Sequence, residues 1–188
     1  MESLQSRARA LVRPEALSTE QGPGRVSGKI FQKTGNLHLI SGAAARSVVQ
    51  INTGTGCHLD ADMVTRALSA LKPAPGAVVL IENVGNLVCP ALFDLGERAK
   101  VVIFSVTDGE DKPLRYPHMF RAAAIVILNK IDLLPYLEFS LAQAIANVQQ
   151  VNPEAIILQM SSRSGAGSAH WYDWLRRQLA AARQSAFA

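Results

Sequence analysis

Asn129-Lys130-Ile131-Asp132 stands directly after the apolar run at 122–128. A carboxylate at the end of a buried strand can accept two hydrogen bonds from guanine, at the ring N1–H and the exocyclic amine, where adenine offers no such pair. Asp132 is then the base reader. Lys130 lays its methylene stem along the purine face while its ammonium stays solvated, and the Asn129 amide bridges the base to neighbouring loops. The competing reading is a loop in which Asn129 and Asp132 merely cap a turn. Ser161-Ser162-Arg163-Ser164-Gly165 ends a later apolar run, where amides and small hydroxyls can reach the guanine carbonyl.

A second constellation is Cys57-His58, in the Gly-rich segment before a helical period. A thiol and an imidazole are ligands for zinc or nickel, and Cys89 is the one other thiol in the chain. Three ligands imply a site completed by water or shared by two chains about a two-fold axis. A small core cysteine and a loop histidine would look the same. After another apolar run come Glu82 and, three positions on, Gly85. The carboxylate suits Mg²⁺ or its water, and the glycine amide suits close approach to a terminal phosphate, although Glu82 could equally cap a helix. The charged segment 108–113 reads either as a solvated turn or as functional, and His118, Met119 and Phe120 read as packing residues.

These residues need a frame that brings them to one edge. Apolar runs at 47–51, 77–81, 101–105, 125–128 and 155–160 alternate with helical periods at 61–71, 91–98, 140–151 and 170–182. Asp60 and Ser140 are placed to cap two of the helices. Strands alternating with helices predict an α/β fold with a doubly wound, mostly parallel sheet and its ligand site at the carboxyl ends of the strands. The 188-residue length fits one domain, and no apolar run is long enough to span a bilayer. Two cysteines and no secretion signal give the cytoplasm as the expected compartment.

The first 46 residues differ. They hold seven basic and three acidic residues, and the remainder holds twelve of each, so the net charge of +4 lies wholly in this leader. Residues 2–12 read as a short helix and 37–40 as a short strand; otherwise the leader is expected to be poorly ordered, with the domain proper at 47–188. The nearest approach to a phosphate loop, Gly24-Arg25-Val26-Ser27-Gly28-Lys29-Ile30, has three residues between its glycines where four are needed. Ile30 also stands where a Mg²⁺-binding hydroxyl belongs, so the match is rejected.

In order, INTGTGCHLDADMV, IENVGNLVCPALFDLGE, SVTDGEDKPLRYPHMF, NKIDLLPY and NPEAIILQMSSRSGAG resemble the HypB family of hydrogenase maturation factors, from about residue 47 to 179. The resemblance implies a P-loop GTPase type of sheet, here lacking the first strand and phosphate loop. It implies GTP/GDP and Mg²⁺ as ligands, with Glu82 near Mg²⁺, Gly85 near the γ-phosphate, and Asn129, Lys130, Asp132, Ser161 and Ser162 around the guanine. It also implies nickel or zinc on Cys57, His58 and Cys89 near a homodimer interface, with loss of the γ-phosphate moving the Cys89 segment. The partners it implies are hydrogenase maturation accessory proteins and the hydrogenase large subunit, with no nucleic acid and no membrane.

The leading expectation is a nickel-insertion GTPase of [NiFe] hydrogenase maturation. The absent phosphate loop keeps a second open, a non-hydrolysing metal-binding or dimerisation module. The change of character near residue 47 fits a frameshift or misassigned start. A third reading, nucleic-acid binding through the basic leader, predicts salt-sensitive association lost on deleting residues 1–46.

Overall fold

The computed structural model describes residues 7–12, 26–33, 48–53, 58–73, 77–83 and 87–185. Its strands are β1 (Arg7–Val12), β2 (Val26–Lys33), β3 (Val48–Asn52), β4 (Val78–Asn83), β5 (Glu97–Ser105), β6 (Ile125–Asn129) and β7 (Ile156–Gln159). The α-helices are α1 (Ala61–Leu71), α2 (Cys89–Leu92), α3 (Lys112–Arg115), α4 (Pro117–Ala122), α5 (Leu141–Val151) and α6 (Ser168–Ser185), and a 3-10 helix covers Ile131–Tyr136.

The strands form one sheet in the order β3-β2-β4-β1-β5-β6-β7. Strand β2 is parallel to β3 and β4, and β5, β6 and β7 are parallel to one another. Strand β1 is antiparallel to both β4 and β5. Every strand but β1 therefore ends at one edge, where Asn83, Ser105, Asn129 and Gln159 stand together.

Because successive strand residues face opposite sides, each apolar run covers two cores. On one side Val79 and Ile81 join Val64, Ala67 and Leu71 of α1, and Leu59. On the same side Val102, Phe104, Val126 and Leu128 meet Met119 and Phe120 of α4 and Ala144 and Val148 of α5. Phe104 and Phe120 meet edge to face, with ring centroids 5.8 Å apart. On the opposite side Val101, Ile125 and Ile127 pack on Trp174 and Leu175 of α6.

The helix α1 begins and ends where its sequence says. Asp60 accepts the Met63 amide at 2.7 Å, and Lys72, at φ 44°, closes the C-terminus with its amide on the Leu68 carbonyl. Ser140 caps α5 through the Gln143 amide at 3.2 Å.

Three local expectations are corrected. Residues 7–12 are strand, not helix: pairing with β4 and β5 on both sides overrides the helix propensity of Arg, Ala and Leu. Val26–Lys33 is also strand, so Gly28-Lys29-Ile30 lies inside the sheet. The helix expected at 91–98 is only Cys89–Leu92, because Gly96 turns the chain at φ 74° and Glu97 already pairs with Val12. The strand expected at 37–40 lies outside the described residues. His118, Met119 and Phe120 do belong to packing, in α4, with Met119 and Phe120 buried.

Candidate nucleotide and metal site

At the carboxyl edge, the loop after β6 and the loop after β7 lock together. Ser161 Oγ donates to Asp132 Oδ1 at 2.5 Å, and Ser161, with no solvent exposure, also accepts the Ser164 amide at 3.1 Å. Asn129 Oδ1 accepts from both the amide and the hydroxyl of Ser162, each at 3.1 Å. This leaves the Asn129 Nδ2 hydrogens to donate elsewhere. The residues at 129, 132, 161 and 162 thus form one corner, although about thirty positions separate the two pairs.

Lys130 occupies the left-handed region at φ 64°, ψ 33°, a conformation that costs a non-glycine residue about 1 kcal/mol or more. It carries the chain from β6 into the 3-10 helix that bears Asp132. Its Nζ lies 3.5 Å from Thr107 Oγ1, in the loop after β5. There Ser105 Oγ and Thr107 Oγ1 are 2.8 Å apart, and Asp108 accepts the Ser105 amide at 3.0 Å and pairs with Lys112 at 3.1 Å. Glu110 accepts the Ser140 amide at 2.6 Å, which holds its carboxyl below the usual carboxylate range. Its backbone carbonyl also accepts from Asn147 Nδ2 at 2.8 Å, so this charged loop is fastened to α5. This fastening is not legible from the residues alone, since its partners lie 30 and 37 positions away.

Glu82 is the penultimate residue of β4, three strand positions from β6, on the order of 14 Å along the edge. That matches the reach of a nucleoside triphosphate from base to terminal phosphate. Next to it in the strand Asn83 is buried, and among the described residues its Oδ1 has no hydrogen-bond partner. Nothing in the sequence singled out Asn83. Gly85 lies outside the described residues.

Of the three candidate metal ligands, Cys57 lies outside the described residues and Cys89 is the first residue of α2. His58 stacks on Phe93, just past α2, with ring centroids 3.9 Å apart and planes 10° from parallel. The fold thus carries His58 to the element that Cys89 begins. Among the described residues alone no cluster of three His, Cys, Asp or Glu can hold a metal. Nor is any described helix long and apolar enough to cross a membrane.

The parallel-sheet edge and its Asn-Lys-x-Asp corner define an α/β domain of the P-loop GTPase type. Residues 7–159 match the family model described as CobW/HypB/UreG, nucleotide-binding domain. Hydrogenase maturation factor HypB of Escherichia coli (strain K12) is 53% identical over 139 residues, 74% of this chain and 48% of that protein. The HypB of Azotobacter vinelandii is 58% identical over 130 residues, 69% of this chain and 43% of that one. Among solved structures, HypB from Helicobacter pylori in complex with nickel superposes with TM-score 0.70 at 33% identity, covering 81% of this chain and 74% of that one. HypB from Archaeoglobus fulgidus gives 0.65 at 35%, covering 80% and 73%. The chain belongs to the HypB family. It spans about half the length of the curated relatives it matches.

Proposed function

We propose that this chain binds GTP and GDP at the carboxyl edge and carries nickel or zinc on Cys57, His58 and Cys89, in the maturation of [NiFe] hydrogenase. The observation that carries the nucleotide half is the Asp132–Ser161 and Asn129–Ser162 pairing. It fixes a carboxylate and an amide in a shared corner, and each carboxylate oxygen has lone pairs left for the guanine N1–H and amine. Ser161 then acts through Asp132, while Ser162 and Lys130 border the base.

At the other end of the edge, the Glu82 carboxylate fits the oxygen preference of Mg²⁺. Mg²⁺ bound there would neutralise phosphate charge. Glu82 would hold it or its water, and the Gly85 amide would approach the terminal phosphate. The metal cargo is supported by the nickel-bound relative and by the placing of His58 beside α2. A homodimer sharing the metal site, hydrogenase maturation proteins and the hydrogenase large subunit as partners, and a cytoplasmic setting complete the reading.

One observation favours the second reading, a module that binds without hydrolysing. Lys29, the nearest candidate for a phosphate-neutralising lysine, lies inside β2 between two parallel neighbours. A titration with fluorescent GDP and XDP tests the nucleotide half. Asp132→Asn should lower GDP affinity at least tenfold and favour XDP, whose C2 carbonyl accepts where guanine donates. Equal GDP binding by wild type and variant would remove the guanine reading. GTP turnover lost in Glu82→Gln would remove the non-hydrolysing one.

A further inference from the structure

Resting on the metal-binding reading above, we propose that Phe93 is the positioning residue of the nickel or zinc site. Its ring sets the plane of the His58 imidazole and couples that plane to the helix beginning at Cys89.

A ligating imidazole meets its ion in the plane of its own ring, along the nitrogen lone pair. Rotating the ring takes that lone pair off the ion, so whatever fixes the ring sets affinity. At His58 the near-parallel stack on Phe93 restrains this rotation, because turning the imidazole would open a void on one side and a clash on the other. Directly after His58, Leu59 is fully buried in the core under α1, which anchors the backbone on that side.

Phe93 is itself held. Its carbonyl accepts from Lys100 Nζ at 2.7 Å. Lys100 also pairs with Glu97 Oε1 at 2.5 Å, and Glu97 Oε2 accepts the Leu95 amide at 2.7 Å. The Glu97 side chain is almost wholly buried at the start of β5. Asp94 Oδ1 accepts the Gly96 amide at 2.9 Å and closes the same turn. A continuous path therefore runs from β5 through Lys100 and the Phe93 backbone to its ring, and from the ring to His58.

The path also fixes distance. Phe93 follows the four-residue α2 that Cys89 opens, so their Cα atoms are about 6 Å apart at 1.5 Å of rise per residue. The stack thus holds the imidazole beside the element that Cys89 begins.

The test is titration of the purified chain with Co²⁺ followed by visible absorption, and with Ni²⁺ against a chelator of known affinity. Phe93→Leu keeps apolar bulk but removes the stack. It should weaken both metals about tenfold or more and shift the Co²⁺ band, with an unchanged melting temperature. Phe93→Trp should restore affinity and band. Lys100→Met, which frees the Phe93 carbonyl, should lie between wild type and Phe93→Leu, and it replaces that variant if Phe93→Leu fails to fold. If His58→Ala abolishes binding while Phe93→Leu and Lys100→Met titrate like wild type, the positioning role is overturned and the metal site stands. If His58→Ala titrates like wild type, the metal reading and this inference fall together.

Discussion

Ser161 has no solvent contact, yet its hydroxyl donates to Asp132 and accepts the Ser164 amide. Ser161→Ala leaves a carboxylate oxygen and the Ser164 amide each one partner short. It should cost about 1–3 kcal/mol in urea denaturation and lower GDP affinity through a less constrained Asp132. A variant as stable as wild type would show that water replaces the hydroxyl freely. Gly167 is a steeper case: it sits at φ 72°, and an added Cβ would stand 2.0 Å from the Gln159 carbonyl oxygen. Gly167→Ala should therefore cost roughly 3 kcal/mol or more, read as a lowered urea midpoint, because backbone must move. At this scale the sequence was legible where the chemistry is local. Asn129, Lys130 and Asp132 were evident as a polar run directly after an apolar strand. The partners that orient them were not, because nothing in the sequence tells which of the hydroxyls at 161, 162 and 164 serves which acceptor.

The charged loop after β5 and the start of α5 behave as one unit through Glu110. Its folded pKa lies below its ordinary value of 4.5, since the ionised form accepts the Ser140 amide. The stabilisation is therefore complete above the unfolded carboxylate range and is lost as pH falls through the folded value. Glu110→Gln keeps an acceptor but no charge. Urea midpoints of wild type and Glu110→Gln should differ by a constant amount at neutral pH and converge only once the pH has fallen below the lowered folded value of Glu110. A gap that persists in acid would assign the effect to shape. At the other end of α5, Asn152 Nδ2 lies within 2.9–3.2 Å of the Phe120, Arg121 and Ala123 carbonyls, tying α5 to the end of α4. Asn152→Ala should cost about 1–3 kcal/mol and speed amide exchange in α4. The bounds of α1 and α5 could be read to within a residue because caps, periodicity and apolar face agree there. The failure at 91–98 has the opposite cause: Glu97-Arg98-Ala99-Lys100 are good helix formers drawn into β5 by pairing with β1.

For the whole molecule the surprise is the leader. Expected to stand apart, it supplies two of seven strands, and one of them, β1, fills the slot between β4 and β5. Alternating Arg and Ala gave β1 a period of two, but with Val12 as its one β-branched residue that signal lost to helix propensity. Deleting residues 1–46 would expose β4 and β5 along their inner edges. The fragment 47–188 should aggregate or lose cooperative unfolding, as judged by size-exclusion chromatography and circular dichroism. A monomeric fragment with a sharp transition would show that β1 and β2 are dispensable. Strand polarity adds an instruction for anyone rebuilding this protein. Ala8 pairs with Asn83 and Leu11 with Leu80, so Val12, the last residue of β1, lies at the edge where β4 begins, far from Glu82 and Asn129. A phosphate-binding loop grafted after Val12 would emerge at the wrong end of the molecule. The end of β1 that faces the corner of Asn129 and Asp132 is Arg7, and a graft has to join the strand there.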